Sequence, residues 1–112
     1  MAVSAEQIVH LRDLFRDVPD LSMRKMFGGL GIYSEGRIFA VLGPDEALLI
    51  KARGALAETL AAEGATQWVY AGKSGKRSTM PYWTLPEDAL DDPEAACDWA
   101  RRALAELDGA PI

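Results

Sequence analysis

The sequence predicts an α+β domain in which a mainly antiparallel five-stranded sheet carries three helices, in the order α-β-β-β-α-β-β-α. Three observations lead to this fold. Segments with helical periodicity lie at the start, middle and end of the chain, and short apolar runs of strand type lie between them. The connections between those runs have hairpin length, which favours antiparallel pairing. The length of 112 residues fits a single domain spanning residues 1–112, and a hydrophobic content of 49% supplies one core.

The first predicted helix begins at Ser4, because Ser4-Ala5-Glu6-Gln7 is a capping box. Pro19 is expected to end this helix. The second helix is predicted from Gly54 to Glu63, with Gly64 as its C-terminal cap. Asp92 and Pro93 open the third helix as N-cap and first helical residue. The apolar face of the first helix consists of Ile8, Leu11, Leu14, Phe15 and Val18.

The first predicted strand covers roughly Arg24 to Tyr33, with a break or bulge at Gly28-Gly29, because adjacent glycines weaken a regular strand. A tight turn at Ser34-Glu35-Gly36 follows. Pro81 cannot donate a ladder hydrogen bond, so the last strand is expected to be an edge strand or to contain a bulge. The remaining predicted strands are Arg37 to Leu42, Ala47 to Lys51, Gln67 to Tyr70 and Ser78 to Leu85.

Strict alternation along the strands makes both faces of the sheet apolar. In the second strand, Ile38, Ala40 and Leu42 would share one face, and Phe39 and Val41 the other. In the last strand, Met80 and Tyr82 likewise oppose Trp83 and Leu85. Three modest helices leave part of such a sheet uncovered, and large exposed apolar patches usually mark interfaces. We therefore expect a homodimer.

Composition limits the classes of function. The net charge of −5 disfavours a dedicated nucleic-acid clamp, because non-specific affinity for nucleic acid comes mostly from neutralised phosphates. The lone cysteine, Cys97, rules out an intramolecular disulfide and favours a reducing compartment. The sequence has no secretory signal and no apolar run long enough to cross a membrane. We expect a cytoplasmic protein without a membrane partner.

The sequence offers no convincing catalytic constellation. His10 and Cys97 are the only residues of their types, so zinc-finger spacing is impossible and a Cys-His pair has no supporting motif. Gly72 to Ser78 lacks the spacing of a phosphate-binding P-loop. The aromatic residues Trp68, Tyr70, Tyr82 and Trp83 suit core packing better than base stacking. We expect no enzymatic activity, no metal and no cofactor.

Lysine and arginine concentrate in the loop Lys73-Ser74-Gly75-Lys76-Arg77. A solvated hairpin loop explains this composition. The open alternative is contact with an anionic partner such as nucleic-acid phosphate, through Lys73, Lys76 and Arg77.

Two blocks of the sequence resemble the N-terminal domain of the TfoX/Sxy family, bacterial regulators of competence for DNA uptake. The first runs from Arg24 to Tyr33, and the second is Met80-Pro81-Tyr82-Trp83. The resemblance implies a small non-enzymatic domain with an antiparallel sheet. Full-length competence regulators carry a second, helical C-terminal domain, which we do not expect within these 112 residues. The residues that the resemblance suggests as a recognition surface are Arg24, Lys25, Met26, Phe27, Gly28 and Gly29. The structural explanation, in which the glycines permit a bulge and Met26-Phe27 fill the core, is favoured over this one.

Three functional hypotheses follow. The first is a dimeric interaction module that acts through protein contacts in transcription regulation. The second is an accessory nucleic-acid-binding protein that uses the Lys73–Arg77 loop together with Arg24 and Lys25. The third is a small-ligand-binding protein or minor enzyme, which requires a polar pocket near His10 or Cys97.

Overall fold

The computed structural model describes residues 4–26, 29–43, 47–71 and 77–107. The α+β class and the antiparallel sheet are confirmed. The helices are α1 (Ala5–Leu14), α2 (Gly54–Ala62) and α3 (Pro93–Leu107), with a 3₁₀ turn at Glu87–Ala89. The strands are β1 (Leu21–Met26), β2 (Gly29–Ser34), β3 (Arg37–Leu42), β4 (Leu48–Lys51), β5 (Gln67–Ala71) and β6 (Arg77–Thr84). None of the described helices is long and apolar enough to cross a bilayer.

The helix starts agree with the sequence. The Gln7 N–H donates to Ser4 Oγ at 3.1 Å, and the Ser4 N–H donates to Gln7 Oε1 at 2.8 Å, so the capping box is confirmed. At the start of α3, Asp92 Oδ1 accepts from the backbone of Glu94 at 3.1 Å. The first helix ends at Leu14, before the predicted stop at Pro19. The residues between Leu14 and Pro19 form tight turns, in which the Val18 N–H donates to the Phe15 carbonyl three residues earlier.

The sheet has six strands rather than five, because the segment from Arg24 to Tyr33 belongs to two of them. β1 and β2 pair antiparallel, with Met26 opposite Gly29, so only two residues separate the strands. The order across the sheet is β1-β2-β3-β4-β6-β5, and all pairs of described strands are antiparallel.

Strict alternation would place Phe39 and Ala40 on opposite faces of the sheet, but the structure places both on the same face. Ile32 pairs with Ala40 and Tyr33 pairs with Ile38, so Phe39 is skipped in the β2–β3 register. In such a β-bulge the two residues at the insertion can point to the same side. Phe39 and Ala40 are both buried in the main core, whereas Ile38 packs with Val41 on the other face.

Pro81 marks a bulge, not an edge. β6 lies between β4 and β5, so the edge alternative is wrong. The bulge alternative is confirmed, because Gln67 pairs with Trp83 and Val69 with Thr79, which leaves extra β6 residues around Pro81. The Gln67 side chain donates from Nε2 to the Met80 carbonyl at 3.0 Å and satisfies that acceptor where the ladder is interrupted.

All three helices pack on one face of the sheet. The main core joins buried residues of each helix, such as Leu14, Leu60 and Ala100, to strand residues such as Ile32 and Ile50. The opposite face has its own apolar cluster, and no described helix contributes to it. Its centre is Val41, Leu49 and Tyr82, surrounded by half-buried Ile38, Ala47, Trp68 and Met80. We call this side of the sheet the helix-free face.

Candidate interaction surfaces

The prediction that both faces of the sheet are apolar is confirmed, but the helix-free face is not a broad exposed patch. The exposed fraction of Leu49 is only 3% within the single chain, and Val41 and Tyr82 are also buried. The accessible apolar surface therefore belongs to the half-buried residues around this centre.

Two cations lie over tyrosine rings on the helix-free face. Arg24 Cζ lies 5.7 Å from the centroid of the Tyr33 ring, and Lys51 Nζ lies 6.0 Å from that of Tyr82. Gly31 stands directly opposite Arg24 in the register. Because glycine has no side chain, the arginine can lean across β2 toward Tyr33. Such pairs keep a cation at an apolar surface at low cost.

Burial changes the acid–base properties of the second pair. It lowers the pKa of Lys51 from its ordinary value of 10.5, and the nearby charge of Arg53 lowers it further. Burial raises the pKa of Tyr82 above 10.0; proximity to Tyr33 adds to the rise and Arg53 opposes it. Lys51 makes no ion pair with a described carboxylate.

Charge divides between the two layers of the domain. The six strands contain no aspartate or glutamate, and their charged residues are Arg24, Lys25, Arg37, Lys51 and Arg77. The helices and the 3₁₀ turn carry acids such as Glu6, Glu58, Glu87 and Glu94. The molecule is thus basic in its strand layer despite its negative net charge.

The two edge strands of the sheet differ in protection. β1 carries the exposed Arg24 and Lys25, and charges on an edge oppose pairing with another chain. β5, Gln67-Trp68-Val69-Tyr70-Ala71, contains neither a charge nor a proline. Val69 is 39% exposed, one of the few large hydrophobic residues at the surface of the described part. The β5 edge therefore lacks charge and proline as barriers to strand addition, and its remaining irregularity is the bulge in the β5–β6 ladder.

An open groove of about 1130 Å³ lies where α1, the end of α2 and the 3₁₀ turn meet the ends of β3, β4 and β6. Its floor is apolar and contains Leu11, Leu42, Leu48, Leu85 and Leu90. These residues belong to the main core or pack against it, so the groove is on the helix-covered side.

Acidic residues surround this groove. Glu6, Glu63, Glu87 and Asp91 line it and are exposed, and His10 lies beside them. None of its described lining residues is lysine or arginine. The four carboxylates make no ion pair within the described part of the chain. We call this feature the acid-rimmed groove.

The residues predicted as recognition residues fall at two separate places. Arg24 and Lys25 are exposed on β1, Met26 ends that strand and Gly29 begins β2. Arg77 begins β6, and four strand spacings, about 19 Å, separate β1 from β6. Phe27, Gly28, Lys73 and Lys76 lie outside the described residues.

Gly29 has a clear packing role. A β-carbon at this position would collide with the carbonyl oxygen of Leu42 and lie 3.1 Å from its carbonyl carbon. Gly29 is therefore required for the close approach of β2 and β3.

His10 and Cys97 do not form a reactive pair. Cys97 is buried, and its thiol faces the Leu14 carbonyl, with Sγ 3.5 Å from the oxygen. His10 is exposed at the acid-rimmed groove. Among the described residues, no three histidine, cysteine, aspartate or glutamate side chains are grouped so that they could hold a metal ion.

Sequence reasoning missed two features of these surfaces. It did not place Arg24 over Tyr33, because the register across Gly31 is a tertiary property. It also did not find the acid-rimmed groove, whose carboxylates come from three separate segments of the chain. The absence of acids from the predicted strands was a visible signal for the basic layer.

Comparison with known proteins identifies the family. The model of the TfoX N-terminal domain family matches residues 13–107, nearly the whole chain. No curated protein sequence matches the chain significantly. The match includes the Arg24–Tyr33 block and the Met80–Trp83 block, which form the β1–β2 pair and the centre of β6. The chain belongs to the TfoX N-terminal domain family.

Proposed function

We propose that this domain is a non-enzymatic interaction module that acts as a homodimer, through protein contacts, in transcription regulation in the cytoplasm. The observation that carries the proposal is the one-sided architecture, in which all three helices cover one face and leave the other to a second apolar cluster, with Arg24 and Lys51 over tyrosine rings. Competence regulators of this family, which the sequence resembles, are transcription regulators.

The β5 edge is the contact between two copies in this proposal. Antiparallel pairing of two β5 strands would satisfy the open backbone groups of both edges and bring the two exposed Val69 residues to the interface. Pairing through β1 would instead place Arg24 and Lys25 against the same residues of a second copy, which like-charge repulsion disfavours.

The helix-free face is the surface for the protein partner. Pairing through β5 extends the sheet, so that the two helix-free faces become one surface with two basic ends. The half-buried Trp68 lies next to the new interface, and Arg24 lies at the far edge of each copy. A partner that offers apolar side chains between carboxylates would match this arrangement.

Sedimentation equilibrium tests the dimer. We expect the wild type to be dimeric at tens of micromolar, and Val69→Lys to be monomeric, because two ammonium groups would be forced together at the paired edges. Ser22→Lys is the matched control, since it adds the same charge at an exposed position of the other edge strand. A monomeric wild type, or equal effects of the two substitutions, would contradict the proposed interface.

The basic strand layer favours nucleic acid as a second candidate partner. All six strands lack acids, so the charged side chains of the strand layer are positive, although Arg37 pairs with Glu35 in the turn that follows β2. Fluorescence anisotropy with single-stranded and duplex oligonucleotides tests it. Binding should weaken with salt and with the paired substitutions Arg24→Ala/Lys25→Ala or Lys76→Ala/Arg77→Ala.

The control for this experiment is Arg101→Ala/Arg102→Ala, which removes the same charge from exposed positions on α3. An equal effect of this control would indicate only a general charge effect. No binding at low salt would remove nucleic acid from consideration.

A further inference from the structure

We propose that the acid-rimmed groove binds a basic amphipathic helix of a partner protein, with apolar side chains on the leucine floor and lysine or arginine at the rim. This site is distinct from the β5 edge and lies on the helix-covered side of the sheet, where Ala47 is the one described lining residue that it shares with the helix-free face.

The shape of the groove suits a peptide segment. Small-molecule pockets usually enclose about 300–1,000 Å³. This groove holds about 1130 Å³ and is open to solvent between α1 and the 3₁₀ turn. The accessible leucines of its floor are the half-buried Leu48 and Leu90, which lie beside the buried Leu11. An amphipathic helix presents apolar residues spaced i, i+3/i+4 and i+7 to such a groove.

The carboxylates at the rim of the groove favour a positively charged partner. Four carboxylates line the groove, and no described lysine or arginine lies among them. Glu6 and Glu87 lie in first turns of helical segments, where a negative charge is locally favourable. Glu63 has no such local explanation, because it caps the C-terminal end of α2, where the helix dipole opposes a negative charge. A cation from a bound partner would compensate it.

A pair of designed peptides tests the inference directly. The probe is a labelled amphipathic peptide of about five helical turns with leucine on one face and lysine on the other. Its control has glutamate in place of every lysine. Fluorescence anisotropy at about 0.05 M salt should show binding of the lysine peptide and none of the glutamate peptide. Binding should weaken at about 0.5 M salt, where screening is strong.

Protein variants separate the groove from general charge attraction. Glu63→Gln should weaken binding about fivefold at low salt. Glu58→Gln should leave it unchanged, because Glu58 is exposed on the same helix but does not line the groove. Ala65→Trp, which fills part of the floor, should weaken binding at both salt concentrations. Circular dichroism establishes that each variant is folded.

Four outcomes would overturn the proposal. They are absence of binding, equal binding of the two peptides, equal effects of Glu63→Gln and Glu58→Gln, and full displacement of the peptide by a small polyamine such as spermine, which would make the groove a site for small cations. The result is independent of the dimer, since Val69→Lys should not alter peptide affinity. Failure here therefore leaves the proposed function intact, and the reverse also holds.

Discussion

Phe15 and Phe39 meet edge to face in the core, with ring centroids 5.3 Å apart and ring planes at 86°. Phe15 is the C-terminal cap of α1, and Phe39 is the bulged residue of β3. Edge-to-face geometry is favourable for aromatic pairs. The bulge therefore attaches the first helix to the centre of the sheet.

Phe39→Ala should reduce the free energy of unfolding by about 3–5 kcal/mol, the usual cost of removing a fully buried phenylalanine. Urea denaturation measures this loss. Ile38→Ala is the neighbouring control and should cost less, because Ile38 is half-buried on the helix-free face. Equal losses would show that the bulge does not orient Phe39 as described.

Gly29→Ala should be more damaging than Gly36→Ala. The new methyl group at position 29 would collide with the Leu42 carbonyl and force β2 away from β3. At Gly36 the surrounding space is open and only the positive φ of 81° opposes alanine, at a cost of about 1–2 kcal/mol. Thermal unfolding of both variants compares them. A larger loss for Gly36→Ala would contradict the close approach.

Glu35→Asn should stabilise the β2–β3 hairpin by about 0.5–1 kcal/mol. Glu35 and Gly36 both have positive φ, 52° and 81°, as a two-residue type I′ turn requires, and Asn-Gly is the favoured sequence there. The lost ion pair with Arg37 contributes little, since it is exposed and 3.8 Å long. Glu35→Val should destabilise the hairpin. The urea midpoint should therefore be highest for Glu35→Asn, intermediate for the wild type and lowest for Glu35→Val.

Tyr82→Phe should remove a loss of stability above pH 10. The pKa of Tyr82 is raised, chiefly by burial, so the unfolded chain loses this proton near pH 10.0 while the folded protein keeps it. Ionisation therefore favours unfolding as the pH rises through that region. Urea midpoints between about pH 8 and pH 11 should fall less steeply for the phenylalanine variant.

Lys51→Met should change the pH dependence of the free energy of unfolding in the opposite direction to Tyr82→Phe. Burial lowers the pKa of Lys51, so the folded protein releases this proton before the unfolded chain does at 10.5. Wild-type stability thus gains from Lys51 as the pH approaches 10.5 from below. The methionine variant should lack that gain. Changes of the same sign for both variants would mean that at least one of the two groups does not titrate as its burial requires.

Much of the fold follows from local chemistry that is visible in the sequence. Ser4 and Gln7 form the capping box, Asp92 caps α3, and Gly64 follows α2 with a φ of 91°. Each of these features involves residues within a few positions of one another. Their physical cause is therefore contained in a short segment.

The errors have a common physical origin. The structure has one strand more than predicted because Met26 pairs with Gly29, which divides the predicted first strand in two. Phe39 lies on the other face from the predicted one because β3 has one more residue than β2 across the bulge. β6 is not an edge strand despite Pro81, because the backbone N–H that proline lacks falls where the register of the β5–β6 pairing already shifts. Register depends on two strands at once, so neither strand predicts it alone.

The order of residues along the chain by itself determined the α+β class, the helix caps, the apolar character of both sheet faces and the family blocks, because these depend on local propensity and alternation. The tertiary structure decided that all three helices cover one face, that Arg24 lies over Tyr33, and that Glu6, Glu63, Glu87 and Asp91 surround one groove. Those arrangements depend on strand register and on the packing of separate elements against one another, which no single segment of the chain determines.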